Sequence, residues 1–95
     1  MIKSFANAAT RKVYEGEQPN RFSGLDFDLA SERLDSLEQA QTLAEIPPLK
    51  SIGQHQLKGD RAGQWAMKLN GRWRLVFAWE DGAAIDVEIT DYHKG

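Results

Sequence analysis

A chain of 95 residues is long enough for one domain and not two, because at this length only roughly 60 to 70% of the unfolded surface is hidden and cannot be divided between two cores. It has no cysteine, which excludes a disulfide framework and a thiolate site, and no apolar run reaches the length that crosses a membrane. The net charge of -2, from 12 Lys plus Arg against 14 Asp plus Glu, argues against bulk attraction to nucleic acid, yet the charges are segregated. Six acids and one base lie between Asp26 and Glu45, six bases and one acid between Lys50 and Arg74, and five acids with no base between Glu80 and Asp91. The middle of the chain is locally basic. Met1 to Phe5 lacks the apolar run of a signal peptide, so residues 1–95 read as a single cytoplasmic domain.

In chain order, Ile2 to Phe5 alternates and predicts a short strand. Ala6 to Glu15 predicts a helix with Phe5, Ala9 and Val13 on one stripe, stopped by Gly16. A second helix starts at a cap from Asp26 or Asp28 and carries Leu29, the Arg33 stem, Leu34, Leu37 and Ala40 at helical spacing. It should reach about Leu43 before Pro47-Pro48 ends it. Gly53 to Asp60 reads as a strand entering a turn. Trp65 to Leu69 and Trp73 to Trp79 then alternate around Asn70-Gly71-Arg72, which is a hairpin's period. A two-residue loop would turn Arg72 and Arg74 into the buried face. With a three-residue loop Leu69 faces Trp73, Met67 faces Leu75 and Trp65 faces Phe77, and one side becomes continuously apolar. A last strand from Ala84 to about Tyr92 buries Ile85, Val87 and Ile89. The reading is α+β: N-terminal helices packed on one face of a mainly antiparallel sheet.

Carried across the second turn, this register sets Trp79 opposite Ile85, Phe77 opposite Val87, Arg74 opposite Thr90 and Arg72 opposite Tyr92. The uncovered face then gathers Lys68, Arg72, Arg74 and Tyr92, with Asp91 and His93 at the same end and His55 and Lys58 in reach if their strand joins the sheet. Breaking an RNA phosphodiester without a metal needs a base for the 2′-hydroxyl proton, an acid for the 5′-oxygen leaving group and cations for the charge on the phosphorane. Imidazoles suit the first two tasks and Arg or Lys the third. Tyr92 can stack on a base or donate a hydrogen bond. Two histidines and scattered carboxylates show no short metal-ligand spacing.

His55-Gln56-Leu57-Lys58-Gly59-Asp60-Arg61, then Trp65, Trp73-Arg74-Leu75-Val76-Phe77 and the terminal Asp91-Tyr92-His93, together with Met1-Ile2-Lys3-Ser4-Phe5, resemble the HigB-type plasmid-maintenance killer toxins of the RelE/ParE superfamily. The ordered combination is specific and spans nearly the whole chain. The resemblance implies a RelE-like microbial RNase fold and the toxin of a type II toxin–antitoxin pair, an enzyme that binds the ribosomal A site and cuts translated mRNA. It implies no cofactor and no metal. It also implies a helix-turn-helix antitoxin (HigA-like) as partner, with operator DNA reached only through that antitoxin and no membrane contact. The family's catalytic positions fall on His55, Lys58, Asp91, Tyr92 and His93, with Arg74 by analogy with the superfamily; Arg61, Lys68 and Arg72 are the expected RNA contacts. The chain continues to Lys94-Gly95, past the histidine where many relatives stop.

Plainer readings exist for each residue. His55 between glutamines is ordinary surface composition, Lys58-Gly59-Asp60 is a turn signal, and Arg72 and Arg74 can pair with Asp86 or Glu88. Trp65, Trp73 and Trp79 read as core because they share a face with Met67, Leu69, Leu75 and Phe77. A non-catalytic superfamily member, poisoning gyrase or acting as an antitoxin-binding co-repressor, is the alternative to the nuclease.

Overall fold

The computed structural model describes residues 1–91, so the predicted positions Tyr92 and His93 lie outside the described residues. Among them are two α-helices, α1 (Ala8–Tyr14) and α2 (Phe27–Gln39), and one antiparallel sheet. Its strands β1 (His55–Gln56), β2 (Gln64–Lys68), β3 (Arg74–Glu80) and β4 (Ala83–Thr90) lie side by side in chain order, and short 3₁₀ turns occupy Leu43–Glu45 and Gly59–Arg61. This is the expected α+β arrangement. No helix among the described residues is long and apolar enough to cross a membrane.

The hairpin has the register that burial demands. Trp65 pairs with Phe77 and Met67 with Leu75, and Leu69 N–H donates to the Trp73 carbonyl at 3.1 Å, closing a loop of Asn70, Gly71 and Arg72. Gly71 sits there at φ +55, a left-handed conformation open to glycine without a Cβ penalty. On the covered face Met67, Leu75, Phe77, Val87 and Ile89 join Val13, Leu34 and Leu37 of the helices. Each fully buried side chain of this size contributes about 1.5 to 3 kcal/mol. Trp73 is core, with Trp65 and Trp79 packed against it as partly buried neighbours. Phe22 meets Trp73 edge to face at 5.5 Å.

The helix ends follow local chemistry. Asn7 Oδ1 accepts from Thr10 N–H at 2.8 Å and Asp26 Oδ1 from Leu29 N–H at 3.0 Å, capping α1 and α2. The second helix stops at Gln39, short of the expected Leu43. Glu45 takes the Gln41 and Thr42 N–H groups at 2.9 and 2.8 Å and draws the chain into a separate turn, while the Met1 amino group donates to the carbonyls of Leu37 and Ala40. The Arg33 stem is buried in the apolar stripe as expected, its guanidinium 3.7 Å from Glu32. Where α1 ends beside α2, the Tyr14 phenol titrates above its ordinary value, through desolvation first and then the Glu38 and Asp35 carboxylates.

Two cross-ties hold hairpin and helices together. Asn70 accepts from Asp26 N–H at 2.6 Å and donates to the Gly24 carbonyl at 2.8 Å, and Trp73 Nε1 donates to the Ser23 carbonyl at 3.0 Å. The outer edge of β4 is also occupied. Ile2 and Phe5 bridge in parallel to Ala84 and Val87, so the predicted N-terminal strand exists as two bridges rather than a ladder. Ser4 Oγ takes the Asp86 N–H at 2.9 Å. That contact accompanies a bulge. Val76 pairs with Glu88 but Ala78 with Ile85, so Asp86 and Val87 together face Phe77, with Asp86 at φ +52. Trp79 consequently faces Ala84, not the expected Ile85, whereas Arg74 does pair with Thr90.

Thr10 is fully buried and its Oγ1 accepts from Ile89 N–H at 3.0 Å, pinning α1 to β4. Thr10→Val keeps the side-chain outline and strands that N–H, so we predict a loss of about 1 to 3 kcal/mol in urea-unfolding stability with an unchanged m-value. A variant as stable as the parent would show that the contact carries no net stability.

Candidate functional site: the uncovered sheet face

Side chains paired across a sheet share a face, and the helices cover only the face of Met67, Leu75 and Phe77. On the other, His55, Ala66, Val76 and Glu88 form one row across all four strands, and Lys68, Arg74 and Thr90 form the next. Three strand spacings separate the ends of the first row, about 14 Å at backbone level. The floor is apolar: Ala66 and Val76 are wholly buried and Leu57 nearly so. Arg61 lies over it from the 3₁₀ turn, its Nη1 3.2 Å from Gln64 Oε1 and 3.5 Å from Glu88 Oε1.

His55 is anchored rather than free. Its Nδ1 is 2.9 Å from the Gly53 carbonyl, and its Nε2 is buried with no hydrogen-bond partner among the described residues. A carbonyl only accepts, so Nδ1 carries a proton, and in the neutral ring Nε2 is the bare lone pair. Such an unpaired buried acceptor has a cost unless a ligand or reacting group uses it. Lys58 is exposed at the start of the 3₁₀ turn. Lys68 is exposed too, and its aliphatic stem crosses Gly53. Neither lysine has an ion-pair partner among the described residues.

Arg74 shares this face but is tethered, its Nη1 donating to the carbonyls of Gly71 and Trp73 at 2.9 and 2.8 Å. That leaves its other N–H groups for an anion. Arg72 has partners of its own. Its guanidinium lies 4.7 Å above the Trp73 ring, a cation–π contact, and 3.8 Å from Asp91 Oδ2. Arg72 and Asp91 thus form a pair at the hairpin-loop end of the sheet, and neither plain alternative pairing, with Asp86 or Glu88, is the one made. Asp91, the last described residue, follows directly on β4.

His55, Arg61, Lys68 and Arg74 are therefore on one open face with Lys58 at its rim, Arg72 and Asp91 lie 3.8 Å apart at one end, and Tyr92 and His93 lie outside the described residues. Sequence reasoning missed Gly53 and Gln64, which hold His55 and Arg61. A backbone carbonyl leaves no mark in composition, and Gln64 looks like any polar strand residue. Among the described residues, no three His, Asp or Glu side chains gather as a metal-ligand group. A cavity of about 410 Å³ beside Gly53 and Gln54 has Pro47, Pro48 and Leu49 in its walls and Lys50 as its one charged residue; the imidazole and guanidinium groups are elsewhere.

Two relatives align over essentially the whole chain. Endoribonuclease HigB of Proteus vulgaris is 30% identical over 93 residues, covering 98% of this chain and 100% of the relative. Toxin HigB-1 of Vibrio cholerae serotype O1 is 29% identical over 97 residues, 99% of each. The family model of the RelE-like toxin HigB of type II toxin–antitoxin systems matches residues 3–93, a span that takes in both helices, all four strands and every residue of the open face, and the chain belongs to that family.

Proposed function

We propose that this protein is the toxin of a type II toxin–antitoxin pair and an endoribonuclease that cuts mRNA on the ribosome, by acid–base chemistry that needs no metal ion. The observation that carries the proposal is His55: an imidazole held through Nδ1, with its Nε2 unpaired among the described residues, in the row next to Lys68 and Arg74. The name of the Proteus vulgaris relative, an endoribonuclease, points the same way.

In this reading the mRNA backbone lies across the open face. The 2′-hydroxyl oxygen attacks the adjacent phosphorus as its proton leaves to a base, the bond to the 5′-oxygen breaks, and an acid delivers a proton to that oxygen. The products are a 2′,3′-cyclic phosphate and a free 5′-hydroxyl. His55 Nε2 serves as one of the two proton carriers and His93 as the other. Lys58 and Arg74 meet the charge that builds on the phosphorane, Arg61 and Lys68 hold flanking phosphates, and Tyr92 stacks on a base. Arg72 and Asp91 act as a pair, steadying the sheet end from which Tyr92 and His93 continue. The apolar floor of Leu57, Ala66 and Val76 excludes water beneath the scissile bond.

The partners follow from the reading. Translating ribosomes supply the substrate in the A site, which makes the cytoplasm the place of action. A helix-turn-helix antitoxin encoded beside the toxin restrains it and carries the complex to operator DNA.

Removing a positioned acid or base costs about 10² to 10⁴-fold in rate. His55→Ala and His93→Gln, each soluble, should therefore cut transcripts that much more slowly and relieve the growth arrest seen on induction; full toxicity in both would remove the imidazoles from the mechanism. Mapping transcript 5′ ends after a brief pulse of expression should show cuts in frame inside translated codons. Intact mRNA with lost DNA supercoiling would instead indicate a gyrase poison, and undisturbed translation a co-repressor. Isolated RNA should be cut poorly, and efficient cleavage of naked RNA would contradict ribosome dependence.

A further inference from the structure

We propose that Gly53 is a positioning residue for His55 and Lys68: its carbonyl holds the imidazole in the Nδ1–H tautomer, and its bare Cα is the surface across which the lysine stem reaches the same face. The inference rests on the nuclease reading for its consequence but not for its geometry.

Three observations meet at this residue. Gly53 O is 2.9 Å from His55 Nδ1, so a proton moving at Nε2, in either direction, leaves the Nδ1–H bond in place. Gly53 has φ +58, a conformation that residues with a Cβ rarely adopt. A Cβ built there would lie 3.0 Å from Lys68 Cδ and Cε and 3.2 Å from Cγ, inside normal contact distance. The chain just before β1 is fastened at this point, since Lys68 N–H donates to the Ile52 carbonyl at 2.7 Å. One glycine thereby couples the orientation of the base to the path of the cation. The turn preceding it is held as well, by Ile52 and Gly53 N–H groups that both donate to the Leu49 carbonyl at 3.0 Å. The backbone leading into the carbonyl that faces the imidazole is therefore held at both Ile52 and Gly53.

The test is the ring tautomer, read by long-range ¹H–¹⁵N correlation NMR on the full labelled chain above the histidine titration range. The sequence has two histidines, so His93→Gln assigns the signals. A protonated Nδ1 and bare Nε2 at His55 are expected; an Nε2–H tautomer overturns the proposal even if the protein cleaves mRNA, whereas an Nδ1–H tautomer in a protein that cuts no mRNA leaves the positioning intact and removes the nuclease reading. In Gly53→Ala, His55 should become a mixture of tautomers and single-turnover cleavage on programmed ribosomes should slow by roughly tenfold or more, a fraction of a full acid–base contribution, with half-saturation changed less than twofold. An unchanged tautomer and rate overturn the proposal. Adding Lys68→Ala removes the atoms the new Cβ would strike, so the Gly53→Ala effect measured against Lys68→Ala alone should shrink. An undiminished effect would overturn the coupling to Lys68. If Gly53→Ala does not fold, the wild-type tautomer still decides the first half, and the half-time for backbone exchange at His55 in Lys68→Ala decides the second: faster exchange supports the packed stem and unchanged exchange rejects it.

Discussion

The sidedness of the hairpin is the constraint on which the rest depends. Trp65 with Phe77 and Met67 with Leu75 sit on one side, Lys68 with Arg74 on the other, and a one-residue slip would exchange the two sets. The slipped pairing would bury an ammonium and a guanidinium against Leu34 and Leu37, at a cost of several kcal/mol for each charge, while exposing the largest apolar groups. No local turn preference competes with that. The same pairing therefore builds the core and the open face at once, and His55 inherits its side of the sheet through its pairing with Ala66.

What this leaves is a sheet with unlike edges. The β4 edge is occupied by the N-terminal segment and by Thr10, so β4 is held from both sides. The β1 edge is two residues long and, among the described residues, pairs only with β2. A short edge strand resists pairing with other chains, but it also gives its residues few backbone bonds to keep them in place. His55 sits in that weakly paired strand, and the compensation is one side-chain contact, the Gly53 carbonyl on Nδ1, and one backbone bond, the Lys68 N–H on the Ile52 carbonyl. Rigidity that a central strand supplies through its ladder is supplied here by a turn.

The same logic explains which features could be read from the residues alone. Alternation over Trp65 to Leu69 and Trp73 to Trp79 is a strong signal because burial energy stands behind it, and it yielded the register, the three-residue loop and the face carrying Lys68 and Arg74. The bulge at Asp86 was not legible. It depends on Ser4, 82 positions away, receiving the Asp86 N–H, and strand periodicity knows nothing of such a partner. The early end of α2 is similar, since helical spacing continues through Ala40 while Glu45 draws the following backbone away. For the site, residue types pointed to the imidazole and the cations. The partners of Arg72 were hidden, because they are an aromatic ring and a carboxylate whose proximity only folding creates.

The net charge of -2 and a polyanionic substrate are compatible once these pairings are counted. The open face presents Lys58 and Lys68 unpaired among the described residues, Arg74 with Nη1 engaged by carbonyls, and Arg61 partly offset by Glu88. On the proposed function, about three phosphates' worth of net neutralisation corresponds to a salt slope near -2 for single strands and to weak non-specific binding. Acids on the outer face of α2, among them Asp28, Glu32 and Asp35, weaken binding further by repelling the polyanion. A face of this strength orients a strand that is already delivered to it and captures little on its own. On the proposed function, a small charge inventory is thus itself a reason for the ribosome: the larger assembly supplies the binding energy and the toxin supplies the geometry at one phosphate.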